Sequence, residues 1–83
     1  MINSVVPHKE LDAAVKKVTD YFANAPTKAI GYIKKMLNKS LQADLDTMLQ
    51  QEAYYQSLAG YSADYKEGVT AFIEKRPAMF QGK

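Results

Sequence analysis

Three prolines and one glycine divide this chain of 83 residues into segments with helical periodicity. Proline does not fit a helix interior, and it pushes the residue before it out of the helical region. Between these breaks, apolar residues recur at intervals of three and four and so share one helix face. The breaks are Pro7, Pro26, Gly60 and Pro77. This pattern predicts four amphipathic helices, over about residues 9–24, 27–39, 41–59 and 63–75.

Residues 1–6 have the composition of a β-strand. Ile2, Ser4 and Val6 alternate along one face, and Pro7 ends the segment. A single strand has no partner within the chain, so it frays, pairs with another molecule, or belongs to a sheet located upstream. The predicted fold is therefore all-α, with about four helices in a non-parallel, orthogonal arrangement preceded by a short orphan strand. The predicted division is a leader at 1–7 and a helical domain at 8–83.

The composition excludes several classes of site. A net charge of +2, with no run of more than two basic residues, indicates neither nucleic acid nor a membrane surface as partner. The absence of cysteine excludes disulfides and thiolate metal sites. No stretch is long and apolar enough for a transmembrane helix, and no secretory leader is evident. We therefore expect a cytoplasmic protein without a metal.

The titratable residues do not suggest a catalytic centre. His8 is the only histidine, and it lacks a nearby nucleophile or orienting carboxylate. Asp44 and Asp46 lie two apart and cannot share a helix face. Asp64 and Glu67 lie three apart in the opening turns of the last helix, where the helix dipole favours carboxylates; metal binding is a weaker alternative. No catalytic residue is predicted.

A group of tyrosines marks a second region of interest. Four of them fall within twelve residues, at positions 54, 55, 61 and 65. Tyrosine combines an apolar ring with a polar tip and suits interfaces. Two interpretations remain equally open: ordinary packing of partly buried rings, and a surface that covers another part of the protein or another subunit.

The C-terminal run from Glu67 to Phe80 reads Glu-Gly-x-x-Ala-Phe-x-Glu-Lys-Arg-x-x-x-Phe. This pattern resembles the extreme C-terminus of the crotonase superfamily, the enoyl-CoA hydratases and isomerases. The run Asn-Ser-Val-Val-Pro-His-Lys-Glu-Leu-Asp at residues 3–12 resembles the start of that family's C-terminal helical region. The resemblance implies that the chain corresponds to the last third of such an enzyme and is a fragment of it.

In that family, the helical region roofs the acyl-CoA pocket and builds a trimer or hexamer. The resemblance implies that Phe72 and Lys75 bind the adenine and phosphate end of coenzyme A in a neighbouring subunit. It also implies a coenzyme A thioester as substrate of the parent enzyme, in fatty-acid metabolism. The Gly-rich turns and acidic residues of the catalytic core have no counterpart here, so we expect the chain alone to be inactive.

Two other functions are compatible with the residues. Four amphipathic helices can form a free-standing interaction module, which an upstream reading frame without an enzyme core would favour. A small acyl-CoA-binding protein is the third reading, and one-to-one binding of a long-chain acyl-CoA by the monomer would favour it. For the fragment we expect exposed apolar faces and self-association in solution.

Overall fold

The computed structural model describes residues 2 and 4–83, and within them the fold is all-α, as predicted. A short 3-10 helix at His8–Glu10 leads into the first α-helix. The four α-helices are α1 (Leu11–Ala23), α2 (Thr27–Ser40), α3 (Leu45–Gly60) and α4 (Ala63–Glu74). A tail of residues 75–83 follows α4. None of these helices has the length and apolar character needed to cross a bilayer.

The predicted N-terminal strand is not found in the described residues. Met1 and Asn3 lie outside them, and residues 2 and 4–6 carry no strand pairing. A strand is stabilised by hydrogen bonds to a second strand, and the described part of the chain offers none. The amide of Glu10 instead donates to the carbonyl of Pro7 at 2.9 Å, which forms the 3-10 turn. Helix α1 therefore begins at Leu11, two residues later than predicted.

Side-chain caps decide where α3 and α4 begin. The amide of Thr47 donates to the Asp44 carboxylate at 2.8 Å, so α3 begins at Leu45 and not near residue 41 as predicted. The capping carboxylate satisfies an amide that has no partner within the helix. Ser62 caps α4 as predicted, with its hydroxyl accepting from the amide of Tyr65 at 3.0 Å.

A left-handed residue ends α4. Lys75 has φ 56° and ψ 44°, and its amide donates to the carbonyls of Ala71 and Phe72. The amide of Arg76 donates to the carbonyl of Ala71 at 3.0 Å. These bonds satisfy carbonyls that the end of the helix leaves free. Helix α4 thus ends at Glu74, within one residue of the predicted end at residue 75.

The part of the chain that the structure describes is open and has almost no hydrophobic core. Its accessible surface is 7242 Å², whereas a compact protein of this mass exposes about 5,000 Å². The radius of gyration is 16.0 Å, against about 12 Å for a compact domain of this length. Among the described residues, Ala25 and Ala71 are the buried apolar ones. The predicted stripe of α1 is largely exposed; its members are Leu11 (46%), Val15 (51%), Val18 (45%) and Phe22 (44%).

Candidate functional site

The tail returns along α4 and is fastened to it at two carboxylates. The first is Asp64, in the first turn of α4, whose side chain accepts the amide of Gln81 at 2.8 Å and that of Gly82 at 2.7 Å. The amide of Asp64 donates in turn to the carbonyl of Lys83 at 2.9 Å. Asp64 is only 4% exposed, and the tail amides replace the water that its charge would otherwise need.

The second fastening lies one turn later, at Glu67. Arg76 donates to both carboxylate oxygens, at 2.6 and 3.2 Å, and the amide of Met79 donates to one of them at 3.0 Å. Arg76 also donates to Glu74 at 2.6 Å. The hydrogen bonds from Arg76, followed by that from Met79, lower the pKa of Glu67 to about 2. The same bonds to Glu67 and Glu74 raise the pKa of Arg76 above its usual value.

Between these fastenings, the tail packs against α4 and reaches α2. The ring of Phe80 lies 3.5 Å from where a Cβ on Gly68 would stand. Phe80 lines a groove together with Pro26, Ala29 and residues of α4. Near the end of the tail, Gly82 has φ +77°, and a Cβ there would come within 2.6 Å of the Thr27 hydroxyl. We call residues 76–83 the strap, because they connect α4 to the start of α2.

The structure brings Phe72 and Lys75 to the exposed end of α4. Phe72 is 85% exposed and lines the same groove as Phe80. Lys75 is exposed, and its ammonium makes no ion pair within residues 2 and 4–83. Lys75 follows the last residue of α4 and stands three positions after Phe72 in the sequence. Their binding of coenzyme A stays a prediction.

The other candidate residues are exposed or form hydrogen bonds that stabilise the fold. His8 is exposed in the 3-10 helix. Asp44 is the cap of α3, and the bond from the Thr47 amide lowers the pKa of its carboxyl group. Asp64 and Glu67, considered for a metal, bind backbone amides and Arg76 instead. In the part of the chain that the structure describes, no group of three His, Cys, Asp or Glu residues is placed to hold a metal ion.

The tyrosines divide between a groove and the surface. Tyr55 stacks on Tyr32 of α2, with ring centroids 5.2 Å apart, and meets Tyr54 edge-on at 5.3 Å. Tyr32 and Tyr55 line an open groove of about 610 Å³ between α2 and α3. Tyr61 and Tyr65 are 83% and 48% exposed. Packing therefore explains Tyr55, while the exposed rings retain the character of an association surface.

The sequence interpretation missed the strap. It assigned Asp64 and Glu67 to the helix dipole, with metal binding as the weaker alternative. It did not find their partners, which lie up to 18 residues away and are mostly backbone amides. The usable signal was the combination of two carboxylates one turn apart with a basic residue and a glycine, Arg76 and Gly82, beyond the helix end.

Comparison with known proteins identifies the family. The chain is 43% identical over 83 residues to the 1,2-epoxyphenylacetyl-CoA isomerase of Escherichia coli strain K12. It is 36% identical to the crotonyl-CoA hydratase of Syntrophomonas wolfei and 35% identical to a probable enoyl-CoA hydratase of Rhodobacter capsulatus, each over 83 residues. Each alignment covers 100% of this chain and 32% of the relative. The sequence profile of the enoyl-CoA hydratase/isomerase family matches residues 1–83, so the chain belongs to the enoyl-CoA hydratase/isomerase family.

Proposed function

We propose that this chain is the C-terminal helical part of an enoyl-CoA hydratase/isomerase-type enzyme of the cytoplasm. In this role it joins subunits and covers the site for a coenzyme A thioester, whose conversion belongs to fatty-acid metabolism. The chain has no complete active site of its own. The reaction, whether that of a lyase or an isomerase, takes place on residues that these 83 do not include.

The family match over the whole chain carries the proposal. The near absence of a hydrophobic core among the described residues supports it. An independent small domain buries a continuous apolar core. Here the apolar stripe of α1 is about half exposed, and Ala25 and Ala71 are the buried apolar residues of the described chain. Large exposed apolar faces are typical of association surfaces. Such faces fit a unit that folds against the rest of an enzyme and against neighbouring subunits.

Within this proposal, Phe72 and Lys75 contact coenzyme A. An exposed aromatic ring can stack on adenine, since every base has a π-face. An ammonium donates charge-assisted hydrogen bonds to phosphate oxygens. Both side chains are exposed at the same end of α4, and the cation makes no ion pair in the described residues. The contact is made to the ligand of a neighbouring subunit.

A chimera tests the proposal. Residues 1–83 would replace the matching 83 residues of the Escherichia coli isomerase, and the product would be assayed for that enzyme's isomerase activity. We expect an active oligomer, no activity from the isomerase without this segment, and none from the isolated chain with crotonyl-CoA. Turnover by the isolated chain, or a folded chimera without activity, would contradict the proposal.

Two substitutions in the chimera test the coenzyme A contact. Lys75→Asn removes the cation but keeps a residue that tolerates the left-handed conformation. Phe72→Leu keeps an apolar side chain but removes the ring. We expect each to raise the Kd for coenzyme A, Lys75→Asn by about tenfold, the usual worth of a charged hydrogen bond. Unchanged affinities in a folded, active chimera would remove these residues from the site.

A further inference from the structure

The position of Lys75 depends on a turn that its own side chain disfavours. Lys75 is the only non-glycine residue with positive φ in the described chain, at 56°. The left-handed conformation crowds a Cβ against the following carbonyl oxygen, so such a residue needs outside support. The amides of Lys75 and Arg76 bond to the last carbonyls of α4. These bonds close the turn but do not fix the direction of the chain beyond it.

The pair formed by Glu67 and Arg76 supplies that support. Glu67 lies on α4 two turns before the helix end, and Arg76 directly follows the left-handed residue. The bidentate contact, at 2.6 and 3.2 Å, joins the two sides of the turn. The amide of Met79 adds a third bond to Glu67 at 3.0 Å, which fixes the strap beyond Pro77. Two parallel N–H···O bonds restrict orientation more than one does.

Arg76 also binds the carboxylates near the end of α4 that could otherwise pair with the ammonium of Lys75. Two carboxylates, Glu67 and Glu74, lie close to the turn, and Arg76 binds both of them. Without Arg76, either carboxylate could attract the neighbouring ammonium and compete with a phosphate. With Arg76 in place, the ammonium of Lys75 makes no ion pair among residues 2 and 4–83.

We infer that Glu67 and Arg76 are positioning residues that hold Lys75 in the conformation that binds a phosphate group of coenzyme A and keep the nearby carboxylates away from its ammonium. The inference rests on the proposed contact between Lys75 and coenzyme A. It assigns a binding role to a carboxylate that itself would repel the ligand. Removing that negative charge should therefore weaken the binding of an anion, which is the opposite of its direct electrostatic effect.

The experiment uses this difference in direction, since a positioning role predicts weaker binding where the direct charge effect predicts tighter binding. In the active chimera, the Kd for coenzyme A would be measured by calorimetry for Glu67→Ala and Glu74→Gln. Both variants remove one negative charge near the turn, but only Glu67→Ala releases the amide of Met79 and the bidentate contact. We expect Glu67→Ala to raise the Kd about three- to tenfold, as for the loss of one ordinary hydrogen bond. Glu74→Gln should leave the Kd unchanged or lower it.

A double-mutant cycle with Lys75→Asn separates positioning from a general loss of structure. If Glu67 acts through Lys75, Glu67→Ala will not weaken binding further once the cation is absent. Additive effects, or a lower Kd for Glu67→Ala, would overturn the inference. If Lys75→Asn alone does not change the Kd, the proposed contact fails instead. Should Glu67→Ala not fold, Glu67→Gln keeps one acceptor oxygen for Arg76 or Met79 and should show a smaller change of the same sign.

Discussion

Arg76 and Glu67, nine positions apart, form a bidentate ion pair with N–O distances of 2.6 and 3.2 Å. The pair spans the left-handed turn at Lys75 and so reverses the chain from α4 into the strap. Its position decides where the strap begins, and Asp64 decides where it ends. The short segment after α4 is thus held by side chains of the helix that it follows.

The strap should loosen in acid. The pKa of Glu67 is lowered from 4.5 to about 2. The folded state therefore stabilises the ionised carboxylate of Glu67 more than the unfolded state does. A lowered pKa stabilises the fold above the unfolded value of 4.5, and this stabilisation is lost as the pH falls from 4.5 towards 2. The amide resonance of Met79, followed by NMR, should move with a midpoint below 4.5.

Glu67→Gln is the control for this titration, because it removes the ionising group and should remove the movement of the Met79 resonance. A Glu67 carboxyl group that titrates at its ordinary pKa of 4.5 would contradict the ion pair.

Asp64 should contribute more to stability than a carboxylate in a first helical turn normally does. Asp64→Asn leaves one acceptor for two tail amides, and a buried amide without a partner costs about 1–3 kcal/mol. Asp46→Asn is the matched control, since Asp46 occupies the same second position of α3 and is exposed. That change loses only the dipole interaction, about 0.3–1 kcal/mol.

Hydrogen exchange at Gln81 and Gly82 would measure the effect of Asp64→Asn. We expect exchange of both amides to accelerate in Asp64→Asn and not in Asp46→Asn. Equal exchange rates in the two variants would mean that the carboxylate of Asp64 does not hold the tail.

Gly82 should not tolerate alanine. Its φ of +77° is unfavourable for a residue with a Cβ, and that Cβ would stand 2.6 Å from the Thr27 hydroxyl. Both effects destabilise the strap, the first by about 1–2 kcal/mol. Gly31→Ala is the control, because α2 offers nothing within 4 Å of its Cβ position. We expect Gly31→Ala to stabilise α2 by about 0.5–1 kcal/mol.

Amide exchange in the strap and the helical content of the chain would measure these two changes. If the Gln81 amide stayed protected in Gly82→Ala, that result would contradict the close packing of the strap on α2.

Local chemistry made much of this fold predictable. The apolar spacing gave all four helices, and the cap at Ser62 was predicted because its hydroxyl acts within three residues. The start of α3 was predicted too early because the apolar Leu41 continues the helical spacing of α3 towards the N-terminus. The Asp44 cap is the stronger local signal, and it places the start at Leu45. The strap was missed for another reason. Its bonds join residues up to 18 positions apart, and no periodicity records which backbone amides a distant carboxylate will accept.

The exposed stripe of α1 should cause self-association of the isolated chain. Val15 and Val18 are 51% and 45% exposed and lie on one helix face. Each buried valine contributes about 1.5 kcal/mol or more, so replacing both by asparagine should weaken association at least about tenfold. Lys17→Asn, a change at an exposed residue outside the stripe, is the control. Sedimentation should show assemblies larger than the 9.3 kDa monomer for the unchanged chain. If the unchanged chain is a monomer at high concentration, or if it and the two variants associate equally, α1 is not the contact surface.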